Sequence, residues 1–235
     1  MDIRKIEYYD GDVLLEATVV MEKGTQKRPI VFIFHSWEGK GPFAEQKAVE
    51  LAKLGYIGCA LDLYGKGLLG RSKEENSALM SPLMEDRGKL QKRILAYKNL
   101  LSSIPEADEH KMGAIGFCFG GLCALDLARS GADIKGVVSF HGLLGAPKDS
   151  SLPIISKILA LHGNNDPMVS EEDLLAFKQE MEKKTSDWQL HIFGQTMHAF
   201  TNKEANDPGF GTMYQKDSDR RSFKLMEEFF KEALA

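Results

Sequence analysis

The sequence predicts an α/β protein built on a single, mostly parallel, twisted sheet with helices on both faces. Three observations lead there. Residues 29–35 (Pro-Ile-Val-Phe-Ile-Phe-His) form a continuous apolar run, the pattern of a strand buried on both faces of a parallel sheet. Segments of helical spacing alternate with such runs along the chain. No repeat, low-complexity tract or linker divides the 235 residues, so 1–235 is expected to be one domain.

The elements follow in order. Residues 3–9 and 13–21 predict two strands joined by a turn at Asp10-Gly11-Asp12. After the strand 29–35, Phe43, Ala44, Ala48, Leu51 and Ala52 recur at helical spacing and predict a helix over 43–54 that stops at Gly55. Residues 56–63 are the next strand; glycines and charges make about 64–84 irregular, and helix resumes over about 85–101. A strand at 111–117 leads into a helix at 122–130 that ends at Gly131. Strands at 136–140 and 154–162 follow, then a helix over 171–184 whose first turn, Glu171-Glu172-Asp173, suits the helix dipole. A strand at 188–193 and a helix at 217–234 complete the chain. Ligands in such sheets bind at the carboxyl ends of the strands, so functional residues are sought there.

Composition narrows the class. With 30 basic and 34 acidic residues the formal net charge is -4, and no basic stripe offers a nucleic-acid footprint. No apolar run approaches the roughly 20 residues that span a bilayer, and the first residues have no apolar stretch like that of a secretory signal. The three cysteines, Cys59, Cys118 and Cys123, argue against a disulfide framework, and no spacing suggests a metal site. Cys59 and Cys123 read as small buried hydrophobes. A cytoplasmic setting, no cofactor, no metal and a small-molecule partner are expected, for a monomer or homodimer.

The most informative segment is Gly116-Phe117-Cys118-Phe119-Gly120-Gly121. It lies between an apolar strand and an apolar-periodic helix, with glycines where a sharp turn needs residues lacking Cβ. The pattern G-x-C-x-G matches the nucleophile elbow of α/β-hydrolases with cysteine in place of serine, and taken alone it also arises by chance. Two later strand ends carry the residues that would complete a triad: Asp166 in His162-Gly163-Asn164-Asn165-Asp166-Pro167, and His198 in Met197-His198-Ala199-Phe200. The chain order nucleophile, acid, histidine is that of the α/β-hydrolases. Each residue alone has a plainer reading: Asp166 before proline as a turn residue, His198 as one of six histidines in a surface loop. Their joint occurrence at strand ends favours the triad.

These residue types fit one chemistry. The thiolate is the nucleophile, and amides at a helix start favour negative charge on sulfur. The imidazole of His198 would take the proton or pair with the thiolate, and Asp166 would fix its tautomer. The tetrahedral oxyanion needs two donors; the N–H of Phe119 is one, and the N–H of Trp37, after strand 29–35, is the expected second.

With these motifs the chain resembles the dienelactone hydrolase family. The matching segments are HSWEGKG (35–41), GYIGCALDLYGKG (55–67), GFCFGG (116–121), HGNNDPMVS (162–170) and HAFTN (198–202), spread over nearly the whole chain. The resemblance implies a Cys118, Asp166, His198 triad and hydrolysis of esters or lactones without a cofactor. Two departures stand out. Founding members carry a glutamate directly after the residue matching His35, where this chain has Ser36, with Glu38 two residues on. Glu38 either takes a related role or is a solvated loop carboxylate. Founding members also hold the substrate carboxylate with an arginine four residues after the catalytic histidine, where this chain has Asn202. A second family arginine falls near 81–90, and Arg87 is the nearest candidate, the plainer reading being an ordinary helix-surface charge. Dienelactone itself is therefore not the expected substrate.

Trp37, Phe119, Tyr64 and Phe200 are candidates for an apolar pocket wall, with core packing as the default. His35 and His141 read as hydrogen-bonded structural histidines, His141 beside the elbow strand. A different class of function is a non-catalytic, thiol-sensing or small-molecule-binding member of the fold; a cysteine peptidase or acyltransferase would use the same residues.

Overall fold

The computed structural model describes residues 1–148, 150–185 and 187–235. Two compact units, Met1–Ala114 and Ile115–Ala235, divide the chain. In the first, β1 (Asp2–Asp10) and β2 (Val13–Met21) form an antiparallel hairpin whose register closes with Asp10 opposite Val13. β1 alternates between exposed and partly covered positions, as an edge strand with one wet face does. β3 (Arg28–Phe34) is followed by α1 (Pro42–Lys53) and then β4 (Ile57–Leu61). β4 pairs parallel with β3 and antiparallel with β2. Every residue of β4, and all of β3 but Pro29, is buried, the accessibility that their continuous apolar sequence predicts.

Past β4 the structure departs from expectation. The stretch read as irregular contains a helix, α2 (Lys73–Glu85), capped by the Ser72 side chain accepting from the Glu75 N–H. Among the residues of α2 only Leu83 is buried. A helix with so little apolar face leaves no periodic signal, and its Pro82 reads as a breaker. The single helix expected over 85–101 is instead α3 (Arg87–Leu95) and α4 (Lys98–Leu101). Asp86 ends one helix and caps the next, its carboxylate accepting from the Lys89 N–H. β5 (Ala107–Phe117) starts earlier than predicted, because its polar opening, with Asp108, Glu109 and His110 at least partly exposed, does not look like a strand. The core of this unit holds Phe32, Phe34 and Tyr97, with Phe32 and Tyr97 rings 4.5 Å apart. Burying each such ring contributes roughly 1.5–3 kcal/mol.

In the second unit the order is α5 (Phe119–Arg129), β6 (Gly136–Phe140), β7 (Lys157–Gly163), α6 (Glu171–Lys184) and β8 (Trp188–Phe193). Then come two two-residue strands, β9 (Asn206–Asp207) and β10 (Thr212–Met213), and α7 (Lys216–Ala233). β6, β7 and β8 are parallel. α6 begins with a full capping box between Ser170 and Asp173. α5 is buried along its whole length. Its own Arg129 pairs with Asp126 at 3.1 Å and with Glu180 of α6 at 2.6 Å in a buried ionic group, and the same guanidinium donates to the Leu144 carbonyl. One arginine thereby ties two helices to the loop after β6.

Among the described residues the first unit orders its strands β1-β2-β4-β3, and the second orders its own β6-β7-β8. The α/β class and mostly parallel sheet follow the expectation. Among the described residues no helix is long and apolar enough to cross a membrane.

Candidate active site

The elbow sets the geometry. Cys118, between β5 and α5, has φ 56° and ψ -118°, a backbone region that a residue with a Cβ occupies only under strain. Hydrogen bonds hold it there: its N–H donates to the Phe140 carbonyl at 3.1 Å, and its carbonyl accepts from the Gly121 N–H at 2.9 Å. The flanking glycines are a packing requirement. A Cβ on Gly116 would lie 1.8 Å from the Gly120 carbonyl oxygen, and one on Gly121 would lie 2.6 Å from both Gly142 Cα and Ser139 Oγ. Strand and helix can therefore meet this closely only with hydrogen as the side chain.

Cys118 is half-buried, whereas Cys59 and Cys123 are fully buried. Burial pushes the Cys59 thiol up, consistent with its reading as an inert core residue. Phe119 is the first residue of α5, so the amides of that turn face the elbow with the positive end of the helix dipole. The Phe119 ring itself is fully buried.

Asp166 and His198 come together. Asp166 follows β7 in a turn closed by its N–H donating to the Gly163 carbonyl. Its Oδ1 accepts from the Met168 N–H at 2.9 Å, and its Oδ2 accepts from His198 Nδ1 at 2.7 Å. The first bond aims the carboxylate; the second fixes the ring and leaves Nε2 facing away from Asp166. Nε2 is buried and has no hydrogen bond of ordinary geometry among the described residues. The Cys118 sulfur nevertheless acts on the ring. Burial pulls the His198 imidazolium down, but the charge on Cys118 and the bond to Asp166 outweigh it and raise the group to about 10.

The backbone of His198 is clamped by the β9–β10 segment: its N–H donates to the Gly211 carbonyl and its carbonyl accepts from the Met213 N–H, each at 3.0 Å. Sequence reasoning missed this clamp, since two-residue strands carry no periodicity to read. It also missed His162, a buried ring whose proton affinity burial lowers, with the Asp166 charge opposing and the His198 charge adding to that effect. Its place at the end of β7, four positions before Asp166, was the available signal.

Other candidates occupy plainer settings. In the first unit, His35 is a structural histidine as expected: Nδ1 donates to the Ser36 carbonyl at 2.6 Å, Nε2 accepts from the Leu63 N–H at 3.2 Å, and burial lowers its proton affinity. Trp37 and Tyr64 belong to the same loop system, the Tyr64 hydroxyl donating to the Trp37 carbonyl at 2.9 Å. Glu38 is not a freely solvated carboxylate. Burial raises it, and a hydrogen bond with the Ser36 side chain opposes the rise. Arg87 opens α3 and is partly exposed. In the second unit, Asn202 caps a turn, its Oδ1 accepting from the Glu204 N–H at 3.0 Å. Phe200 is fully buried against His141 and Phe193, so it is core and not an exposed pocket wall. No group of three or more His, Cys, Asp or Glu among the described residues is arranged to hold a metal ion.

Comparison with known proteins places the chain in a family. Uncharacterized protein K02A2.1 of Caenorhabditis elegans is 41% identical over 152 residues, which cover 63% of this chain and 96% of that one. A Bradyrhizobium protein named "Probable 2-oxo-3-(5-oxofuran-2-ylidene)propanoate lactonase" is 27% identical over 187 residues, 75% of each chain. Among solved structures, a dienelactone hydrolase-like promiscuous phosphotriesterase from metagenomic libraries superposes with a TM-score of 0.94 at 32% identity, covering 100% of this chain and 99% of that one. The model of the dienelactone hydrolase family matches residues 15–234, which take in the elbow and both of its partner loops. The chain belongs to the dienelactone hydrolase family and is a hydrolase of ester or lactone bonds.

Proposed function

We propose that this chain hydrolyses small carboxylic esters or lactones by a Cys118, His198, Asp166 triad, without a cofactor, through a thioester acyl-enzyme. The observation that carries the reading is the buried 2.7 Å bond between His198 Nδ1 and Asp166 Oδ2.

The sulfur attacks the acyl carbon, and the negative charge that develops on the carbonyl oxygen is met by the amide of Phe119 and, from the motif pattern, by that of Trp37. As the tetrahedral species collapses, the carbon–oxygen bond to the leaving group breaks and His198 gives its proton to the departing alkoxide. The neutral ring then takes a proton from water as that water attacks the thioester. The carbon–sulfur bond breaks, the acid leaves, and the thiolate and imidazolium are restored. Thiolate is a good leaving group, so activated esters and lactones suit this site better than amides. A reducing, cytoplasmic setting goes with the reading, because the attacking thiolate is also the group most readily oxidised.

The similarity to a promiscuous phosphotriesterase favours a second substrate class, activated phosphotriesters, attacked at phosphorus by the same sulfur. A panel of small aryl esters, lactones and aryl phosphotriesters tests both. Loss of turnover with Cys118→Ala is expected for every substrate that the parent accepts; survival of aryl-ester hydrolysis in that variant overturns the mechanism. Slow, ordinary alkylation of Cys118 by iodoacetamide would point instead to a non-catalytic member of the fold. Including substrates with and without a free carboxylate, against parent and Arg87→Ala, tests whether Arg87 replaces the anchoring that Asn202 lacks.

A further inference from the structure

The His198 ring is held at one nitrogen by Asp166, but a ring bonded at a single edge can still swing about that bond. A second buried side chain stands against it. His141, which follows β6, packs edge to face on His198 with ring centroids 5.1 Å apart and an interplanar angle of 66°. The same ring meets Phe200 at 5.0 Å and 78°. Its Nε2 and the hydroxyl of Thr201, three residues beyond His198, are hydrogen-bonded at 2.8 Å, and both residues are buried.

The backbone is shaped to present this ring. His141 has φ 38° and Ala199 has φ 57°, both in the region that residues with a Cβ occupy only under strain. The His141 N–H donates to the Leu161 carbonyl of β7 at 2.8 Å, which fixes the strained residue to the sheet. The loop 198–201 is thus fastened at one end by Asp166 and the β9–β10 clamp, and at the other by His141. A side chain of Phe or Leu would fill the space below His198, but it would not also bond the loop.

We infer that His141 and Thr201 form a positioning pair that acts through His198, their hydrogen bond setting the angle at which the His198 ring faces Cys118. The inference rests on the proposed Cys118 mechanism. The groups whose charge acts on His198 are Cys118 and Asp166, and His162 shares a charge interaction with both Asp166 and His198; His141 supplies orientation. Misplacing a reacting group by about 1 Å can slow the chemical step by about 10²-fold.

The test is a set of variants: Thr201→Val, Thr201→Ser, His141→Phe and the double Thr201→Val/His141→Phe. Steady-state kinetics on a small aryl ester are normalised to alkylatable Cys118, and the His198 imidazole is titrated by NMR. Thr201→Val and His141→Phe are each expected to lower kcat by about tenfold with KM little changed. The double variant should fall no further than either single, because both remove one bond. Thr201→Ser, which keeps the hydroxyl, should restore parental kcat. In Thr201→Val the His198 ring should titrate below its parental value, since a ring turned from the sulfur loses part of its charge partner. Unchanged kcat and His198 titration, with only a lowered Tm, would show a purely structural bond and overturn the inference. Cys118→Ala run beside them separates the two failures: if it retains turnover, the mechanism itself is wrong; if it is inactive while Thr201→Val matches the parent, only the positioning role falls.

Discussion

His198 Nδ1 lies 2.7 Å from Asp166 Oδ2, across 32 positions of sequence, with the two side chains 2% and 0% exposed. A charge-capable pair this dry is stable only while both partners are present, since either one alone would be a buried group without compensation. The same dryness strengthens the carboxylate's hold on the ring.

Asp166→Asn keeps the volume and one hydrogen-bonding oxygen but removes the charge that stabilises the imidazolium. A fall in kcat of about 10²- to 10⁴-fold is expected, with KM on an aryl ester changed by less than about threefold. Parental kcat in a variant of parental Tm would remove Asp166 from the mechanism.

Replacing the sulfur tests the electrostatics directly. Burial alone lowers the His198 imidazolium, and the Cys118 charge is the first force opposing it. Cys118→Ser removes that interaction with sulfur, so the His198 value should fall from about 10 towards the ordinary 6.5. Imidazole resonances followed against pH report this, and an unmoved titration would mean that sulfur and ring do not interact.

Glu180 supplies a stability signature. Burial raises its carboxyl, but the Arg129 guanidinium outweighs that and leaves it below the ordinary value of 4.5. A depressed carboxylate contributes stability that is present above its unfolded value and lost as pH falls through its folded one. Glu180→Gln should therefore cost on the order of 2 kcal/mol at pH 7, and the gap from the parent should shrink below about pH 4.5. Urea unfolding at both pH values measures it; a gap that widens in acid would contradict the ion pair.

Gly116 leaves no room for a Cβ. Gly116→Ala places its Cβ against backbone, not against a movable side chain. A loss of at least about 3 kcal/mol is expected, read from the urea midpoint or from failure to accumulate as folded protein. A variant as stable as the parent would show that β5 and α5 can separate without cost.

Local chemistry made much of this molecule legible in the chain. Apolar runs such as 29–35 are strands because a fully buried strand must be apolar on both faces, and the run says so at every residue. The elbow is legible because Gly116 and Gly121 occupy positions that no other residue fits. Where burial is slight, the pattern is silent: α2 buries only Leu83, and the polar start of β5 resembles a loop. Which of six histidines meets Asp166 was inferred from order along the chain, but only the tertiary structure sets His198 at bonding distance, clamps it through Gly211 and Met213, and stacks His141 against it. Residue type and spacing record what a segment needs from its immediate neighbours. Distances between segments, and the proton affinities that depend on them, arise only when crossovers bring distant strand ends together and burial removes the water between them.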